Sequence, residues 1–161
     1  MSGGDGMPTL FLMCGLPGSG KTTLAKQLER ERRALRLTPD EWIVRLFGSA
    51  LTPPTLDWCR EPVESVQWSV AERALGLGVN VILDFGFWTR REREDFRGRA
   101  AGLGVASELH FLDVPRAALL SRLESRNAAL PPYAFRVTGA QLDSWWALFE
   151  PPTGDELQPR G

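Results

Sequence analysis

"CGLPGSGKTT", residues 14–23, writes Gly-x-x-x-x-Gly-Lys-Thr. Gly15, Gly18 and Gly20 would let the backbone approach phosphate oxygens with its N–H groups aimed inward. Lys21 adds a charge for the outer phosphates and Thr22 a hydroxyl for Mg²⁺. The following helix lends its positive N-terminal end. The motif has the context it requires. "TLFLMCG" (9–15) before it is a short apolar run of the kind a buried strand shows, and "KTTLAKQLERERR" (21–33) after it is rich in helix formers, with Leu24 and Leu28 four apart. Gly15, Pro17, Gly18, Ser19, Gly20, Lys21, Thr22 and Thr23 are therefore the expected nucleotide-binding residues.

Outward from that loop, strands and helices alternate. "ALRLT" predicts a short second strand, and "TPDE" (38–41) a helix start with Thr38 as N-cap, Pro39 at the first position and Glu41 closing a capping box. A Pro-rich turn at 51–55 leads to a helix whose apolar face is expected at Val63, Val66, Val70, Ala74 and Leu77. "VNVILDF" (79–85) predicts a third strand, and Thr89 with Glu92 caps the next helix. "ELHFLDV" (108–114) predicts a fourth strand, followed by a helix over 115–127 opened by Pro115. A last helix, boxed by Thr138 and Gln141, sets Leu142, Trp145, Trp146 and Phe149 on one stripe. Such alternation predicts an α/β fold, a three-layer α/β/α sandwich around a parallel sheet, with the chemistry at the carboxyl ends of the strands. One domain is expected over 9–150, with a flexible N-terminus at 1–8, a lid near 127–137 and a disordered tail at 151–161.

Composition narrows the partners. The chain has 161 residues, 43% of them hydrophobic, which is enough for a single core that buries about 70% of the unfolded surface. A formal net charge of -1 gives no overall field to collect nucleic acid or anionic lipid. No run of apolar residues is long enough to span a bilayer, so no membrane partner is expected. Cys14 and Cys59 are too few for a disulfide framework and are read as free thiols in a reducing cytoplasm.

Absences separate the classes that use such a loop. A guanine-reading Asn/Thr-Lys-x-Asp motif needs a lysine, and none follows Lys26. Asp84 is followed by Phe85, not by the glutamate with which motor and remodelling ATPases activate water. A small phosphotransferase remains, which requires a carboxylate for the acceptor hydroxyl and cations around the transferring phosphoryl group.

Asp40 is the first candidate carboxylate, with a second reading as an acid stabilising the start of a helix. Asp84, ending the third strand, is favoured over Asp113 as metal or acceptor ligand. Arg90, Arg91 and Arg93 crowd a helix N-terminus where cations are disfavoured. Either an anionic acceptor compensates them at Arg90 and Arg91, or Glu92, Glu94 and Asp95 do. Arg122 and Arg126, four apart, either serve a lid over phosphates or pair with Glu124 or Asp113. Among Trp42, Phe47, Trp58, Trp68, Phe85, Phe87 and Trp88 most are expected in the core and the rest, Trp42 among the candidates, in an acceptor pocket. His110 is read as structural.

"GLPGSGKTTLAKQL", "RLTPDEW", "VILDFGFWTRRERE" and "LDVPRAALLSRLESRN" follow in an order that resembles bacterial kinases of the AAA-type ATP-binding class. These are similar to the 5′-hydroxyl polynucleotide kinases, chloramphenicol phosphotransferase and the zeta toxins. The resemblance implies a sheet of order 2-3-1-4, Asp40 as general base, and lid arginines mapping onto Arg126 and Arg122. It departs from the polynucleotide kinases after Asp40, where Glu41, Trp42 and Ile43 stand and Arg45 is the first basic residue. The reading is thus an ATP- and Mg²⁺-dependent kinase with Lys21, Asp40, Arg126 and Arg122 catalytic, Thr22 and Asp84 at the metal, and Asp40, Trp42, Asp84, Arg90 and Arg91 at a small hydroxylated acceptor. A polynucleotide 5′-kinase and a non-catalytic ATP-binding module are the alternatives.

Overall fold

A computed structural model of the protein describes residues 6–161. β1 (Thr9–Cys14) is buried along nearly its whole length because it lies inside a parallel sheet. On one side it pairs with β3 (Val81–Gly86) and on the other with β4 (Ala106–Phe111), while β2 (Leu35–Leu37) adds beyond β3, giving the order β2-β3-β1-β4. That is the predicted order. Side chains alternate across β1. Leu10, Leu12 and Cys14 face a cluster with Ala71 and Leu75 of α3 (Pro53–Gly76) and Ala100 of α4 (Arg90–Gly102). Phe11 and Met13 face Ala25 and Leu28 of α1 (Lys21–Glu31). The period of two thus builds the three layers of the sandwich directly.

α2 (Pro39–Phe47) and α3 pack together through Ile43, Cys59 and Val63, and α5 (Arg116–Ala128) meets α6 (Gly139–Leu148) through Leu119, Leu123 and Leu142. Both cysteines are free and buried. Among the described residues no helix is long and apolar enough to cross a membrane. Of the expected flexible N-terminus, residues 1–5 lie outside the described residues, while the Pro8 carbonyl accepts from Ala106 N–H at 3.2 Å.

Two local expectations change. The capping boxes at Thr89/Glu92 and Thr138/Gln141 form, but Thr38 caps nothing with its side chain. Its hydroxyl donates instead to Asp84 at 3.0 Å, a charge-assisted bond stronger than a neutral cap, and Glu41 accepts from Arg36 at 3.0 Å. The α3 face is also different from the valine stripe. The helix begins inside the expected Pro-rich turn, and its buried line runs Cys59, Val63, Gln67, Ala71 and Leu75, an i, i+4 series that leaves Val66 and Leu77 exposed. Gln67 is fully buried, and neither its Oε1 nor its Nε2 has a hydrogen-bond partner among the described residues.

The largest correction concerns residues 151–161, expected as a disordered tail. They are docked. Arg160 exchanges both backbone hydrogen bonds with Ser107, at 2.7 and 2.9 Å, and so covers the free edge of β4 in antiparallel fashion. Arg93 and Arg97, one turn apart on α4, are buried against the same segment. Arg93 donates to both Glu156 carboxylate oxygens, at 2.8 and 3.2 Å, and to the carbonyls of Phe87 and Glu150. Arg97 donates to the carbonyls of Glu156 and Gln158. Arg160 closes the clasp on Glu94 at 2.8 and 2.9 Å. Two of the three cations that crowd the start of α4, Arg90 and Arg93, are therefore paired with the C-terminal acids Asp155 and Glu156.

Burial pushes the Glu156 carboxyl up, but the Arg93 guanidinium and the Thr153 N–H outweigh it and hold the group below its ordinary range. Its stabilisation is present above the unfolded-state value and is lost as pH falls through the folded one. Glu156→Ala leaves Arg93 buried and uncompensated, and should cost about 3–5 kcal/mol in urea unfolding near neutral pH; a loss below about 1 kcal/mol would contradict the docking. Gln67→Met removes an unpaired amide at nearly constant shape and should raise stability by about 1–3 kcal/mol in the same assay. A destabilised Met variant would mean that the amide is satisfied.

Candidate active site

The loop after β1 is tied down at its foot, where Gly15 N–H donates to Gly86 O at 2.9 Å across the β1–β3 seam. Ser19 N–H closes a turn on Leu16 O, and Gly20 takes a left-handed φ of 94° as it hands the chain to α1. A Cβ at Gly15 would stand 2.7 Å from Ser19 Oγ and 3.3 Å from Ser19 Cβ, so a side chain there would displace Ser19 at the foot of the loop. The loop N–H groups, the start of α1, and Lys21 and Thr22 in its first turn share one edge of the sheet.

Asp84, inside β3, is the buried centre of that edge. Its Oδ2 accepts from Thr22 Oγ1 at 2.7 Å and from Thr38 Oγ1 at 3.0 Å, joining α1, β3 and the start of α2. Arg36 donates to the Thr38 hydroxyl at 2.6 Å from behind. The second oxygen, Oδ1, is buried with no partner among the described residues. Burial pushes the Asp84 carboxyl up, against the pull of Lys21 and the two threonines, while burial pushes the Lys21 ammonium down against the attraction of Asp84 and Asp40. Each charge is held by the other.

This donor set fits a polyphosphate with a divalent cation. Hydroxyl and carboxylate oxygens suit a hard ion that keeps waters and phosphate oxygens as its remaining ligands. No group of three or more His, Cys, Asp or Glu gathers among the described residues, so a cation here would depend on the nucleotide. Next to the loop, Leu16, Ser19, Phe111, Leu119, Trp146 and Phe149 line a cavity of about 310 Å³.

Asp40 stands in the first turn of α2, and its carboxylate accepts from Arg60 of α3 at 2.7 Å. Arg126 lies close enough to feel Asp40, and Lys21 feels both Arg126 and Arg60. Arg122 Nη1 reaches the carbonyls of Gly18 and Ser19 at 3.4 Å. Arg126 donates to Phe135 O at 3.1 Å and keeps its buried Nε unpaired among the described residues. Asn127 fixes the same segment by two bonds to Val137. Lys21, Thr22, Asp84, Asp40, Arg122 and Arg126 thus gather at the loop.

Other candidates do not join them. Arg90 pairs with Asp155 at 3.0 Å and with Thr153, and Arg91 is exposed with no contact tying it to the cluster. Trp42 is half-buried between two core clusters. Phe87, Phe85, Trp68 and Trp88 also pack on the core, whereas Phe47 and Trp58 are exposed. His110, beside Glu108 on the edge strand, is half-buried, in keeping with a structural role. Sequence reasoning missed Arg60, Arg36 and Glu64. Glu64 lies one turn beyond Arg60, and burial raises its carboxyl to about 7 against the pull of Arg60, with Glu92 adding to the rise. The packing of α3 on α2 reveals Arg60 and Glu64, and the Arg36–Thr38 bond behind Asp84 reveals Arg36.

Because burial holds the folded carboxyl of Asp84 above its ordinary value, its charged form opposes folding at neutral pH. Asp84→Asn keeps the oxygen that accepts from Thr22 and Thr38. The nucleotide-free variant should be more stable than wild type in urea at pH 7, and the gain should fade as pH falls towards the unfolded-state value, where wild-type Asp84 is itself neutral. No gain at pH 7 would contradict the burial argument.

The AAA domain family model matches residues 10–152. Solved structures agree on the fold. A chain of a Pnkp1/Rnl/Hen1 RNA repair complex superposes with a TM-score of 0.66 at 21% identity, covering 99% of this chain and 50% of that one. This protein therefore spans half the length of that relative. Kti12 from Chaetomium thermophilum, in complex with ADP-AlF3, gives a TM-score of 0.67 at 18% identity, covering 89% of this chain and 81% of that one. A gluconokinase from Sinorhizobium meliloti 1021 gives 0.60 at 18% identity, covering 94% and 80%. At these identities the likeness shows the fold alone, a P-loop α/β sandwich, and the family implies nucleotide binding. The chain belongs to the AAA domain family.

Proposed function

We propose that the protein is an ATP- and Mg²⁺-dependent phosphotransferase that moves the γ-phosphoryl group to a hydroxyl of a small molecule. The observation that carries this reading is the meeting of Lys21, the Thr22–Asp84 pair and Asp40 at one edge of the sheet. Bound Mg·ATP supplies the phosphoryl group. Lys21 and the loop amides hold the outer phosphates, and Thr22 and Asp84 hold the cation side. Asp40 takes the proton as the acceptor oxygen forms its bond to phosphorus and ADP leaves. Arg126 and Arg122 offset the charge around the phosphoryl group, with the 127–137 segment as their lid, and the domain assigned to 9–150 carries the docked 151–161 segment with it.

Likeness to a gluconokinase and to an ADP-AlF3-bound protein supports the small acceptor and the nucleotide. A second reading, a polynucleotide 5′-hydroxyl kinase, is favoured by likeness to an RNA-repair chain. The near-neutral net charge speaks against a polyanionic acceptor.

Lys21→Ala should weaken ATP binding about 10- to 100-fold by calorimetry, the loss of one charge-assisted contact. Asp40→Asn should bind ATP as wild type does but slow transfer about 10²- to 10⁴-fold. The assay follows γ-labelled ATP incubated with Mg²⁺ and a small-molecule cell extract, with labelled products separated by chromatography. A labelled organic product formed equally by wild type and Asp40→Asn would refute Asp40 as base; labelling of a 5′-hydroxyl oligonucleotide in place of small molecules would favour the second reading.

A further inference from the structure

Asp40 has a tertiary contact that the chemistry above does not use. Arg60 of α3 donates from Nη2 to Asp40 Oδ1 at 2.7 Å, and its Nη1 stands 3.7 Å from Glu64 Oε1, one turn along the same helix. No hydrogen bond reaches Asp40 Oδ2 among the described residues. The seam that sets this geometry is packed. Cys59 and Val63, on either side of Arg60, are buried with Ile43 of α2 and Phe135 of the connection before α6.

Stability alone gives little reason for the pair. The Arg60 and Asp40 side chains are 36% and 42% exposed, and ion pairs so open to water add little to folding. Orientation is another matter. The last torsion of an aspartate is broad, so a carboxylate in a first helical turn swings unless an outside partner fixes one oxygen. Arginine does so with a planar fork, and Glu64 braces its other arm.

We propose that Arg60 is a positioning residue for Asp40, tying Oδ1 to α3 so that Oδ2 is left to the acceptor hydroxyl. The acceptor half of this statement rests on the phosphotransferase reading; the tie itself rests on the α2–α3 geometry. Arg60 contributes no atom to the reaction. It narrows the orientations of the group that does, as positioning around a reacting centre requires.

Two measurements on the full chain test it. Aspartate carboxyl carbons are followed by ¹³C NMR in the nucleotide-free protein at pH 7, with the Asp40 signal assigned by its loss in Asp40→Asn. Arg60→Gln should move that signal, Arg60→Lys should move it less, and Arg116→Gln, whose parent side chain pairs with Asp143, should leave it in place. An Asp40 signal unmoved by Arg60→Gln overturns the inference, whatever the acceptor. In the extract assay with γ-labelled Mg·ATP, Arg60→Gln should lower the maximal rate about 10- to 100-fold at an unchanged KM for ATP, with partial rescue in Arg60→Lys. A wild-type maximal rate in Arg60→Gln, with Asp40→Asn inactive, overturns the positioning role and leaves the phosphotransferase reading standing. A higher half-saturating extract concentration at unchanged maximal rate makes Arg60 an acceptor-binding residue and also overturns it. Undiminished transfer by Asp40→Asn removes Asp40 as base and with it the acceptor half of the inference, while no transfer by wild type to any acceptor sinks the phosphotransferase reading; in either case the NMR result decides the tie alone.

Discussion

A carboxylate buried beside an ammonium organises this protein. Asp84 sits in a central strand where desolvation opposes its charge, and it is stabilised there by Lys21, Thr22 and Thr38, which arrive from two other elements. The arrangement fixes the first turn of α1 to β3 and the start of α2 to both. Behind it, Arg36 holds Thr38; at its side, Gly86 O holds the foot of the glycine loop. Because the partners come from α1 and from the start of α2, the edge of the sheet is one electrostatic unit whose geometry changes together.

The same logic is repeated at the other end of the sheet, where the need is structural. β4 is an edge strand, and edges invite unwanted pairing. Here Arg160 covers it, while Arg93 and Arg97 are buried by the segment that carries Arg160 into place. Buried guanidinium groups are tolerated only when their donors are matched, and the carbonyls of Phe87, Glu150, Glu156 and Gln158 with the Glu156 carboxylate match most of them. Three of the α4 arginines, Arg90, Arg93 and Arg97, thus bind the C-terminal segment.

The α2–α3 seam lies on the β2–β3 side of the sheet and carries Asp40 at its rim. Ile43, Cys59, Val63 and Phe135 make it rigid, and Asp40, Arg60 and Glu64 stand on its rim. Trp42 and Phe135 pack into it, while Phe47 and Trp58 stay exposed. The segment tethered by Arg126 and Asn127 borders the same seam through Phe135, which links any movement of that segment to the rim.

Much of this was legible in the chain itself, because local rules dominate where neighbours in sequence are neighbours in space. The glycine loop, the alternating elements, and the boxes at Thr89/Glu92 and Thr138/Gln141 depend on residues a few positions apart. Asp84 was legible as a strand-end acid and Asp40 as an acid after the second strand. Tertiary structure decided the rest by competition. The Thr38 hydroxyl chose a buried carboxylate over its own helix, and the α3 stripe followed the packing of α2 in preference to the valines. The C-terminal segment, polar and proline-rich, reads as solvent-loving until Arg93 and Arg97 supply partners that only folding brings near. Arg60 meets Asp40 across 20 residues of chain. No periodicity encodes such a contact, since its strength depends on distance in space and on the dielectric the fold creates.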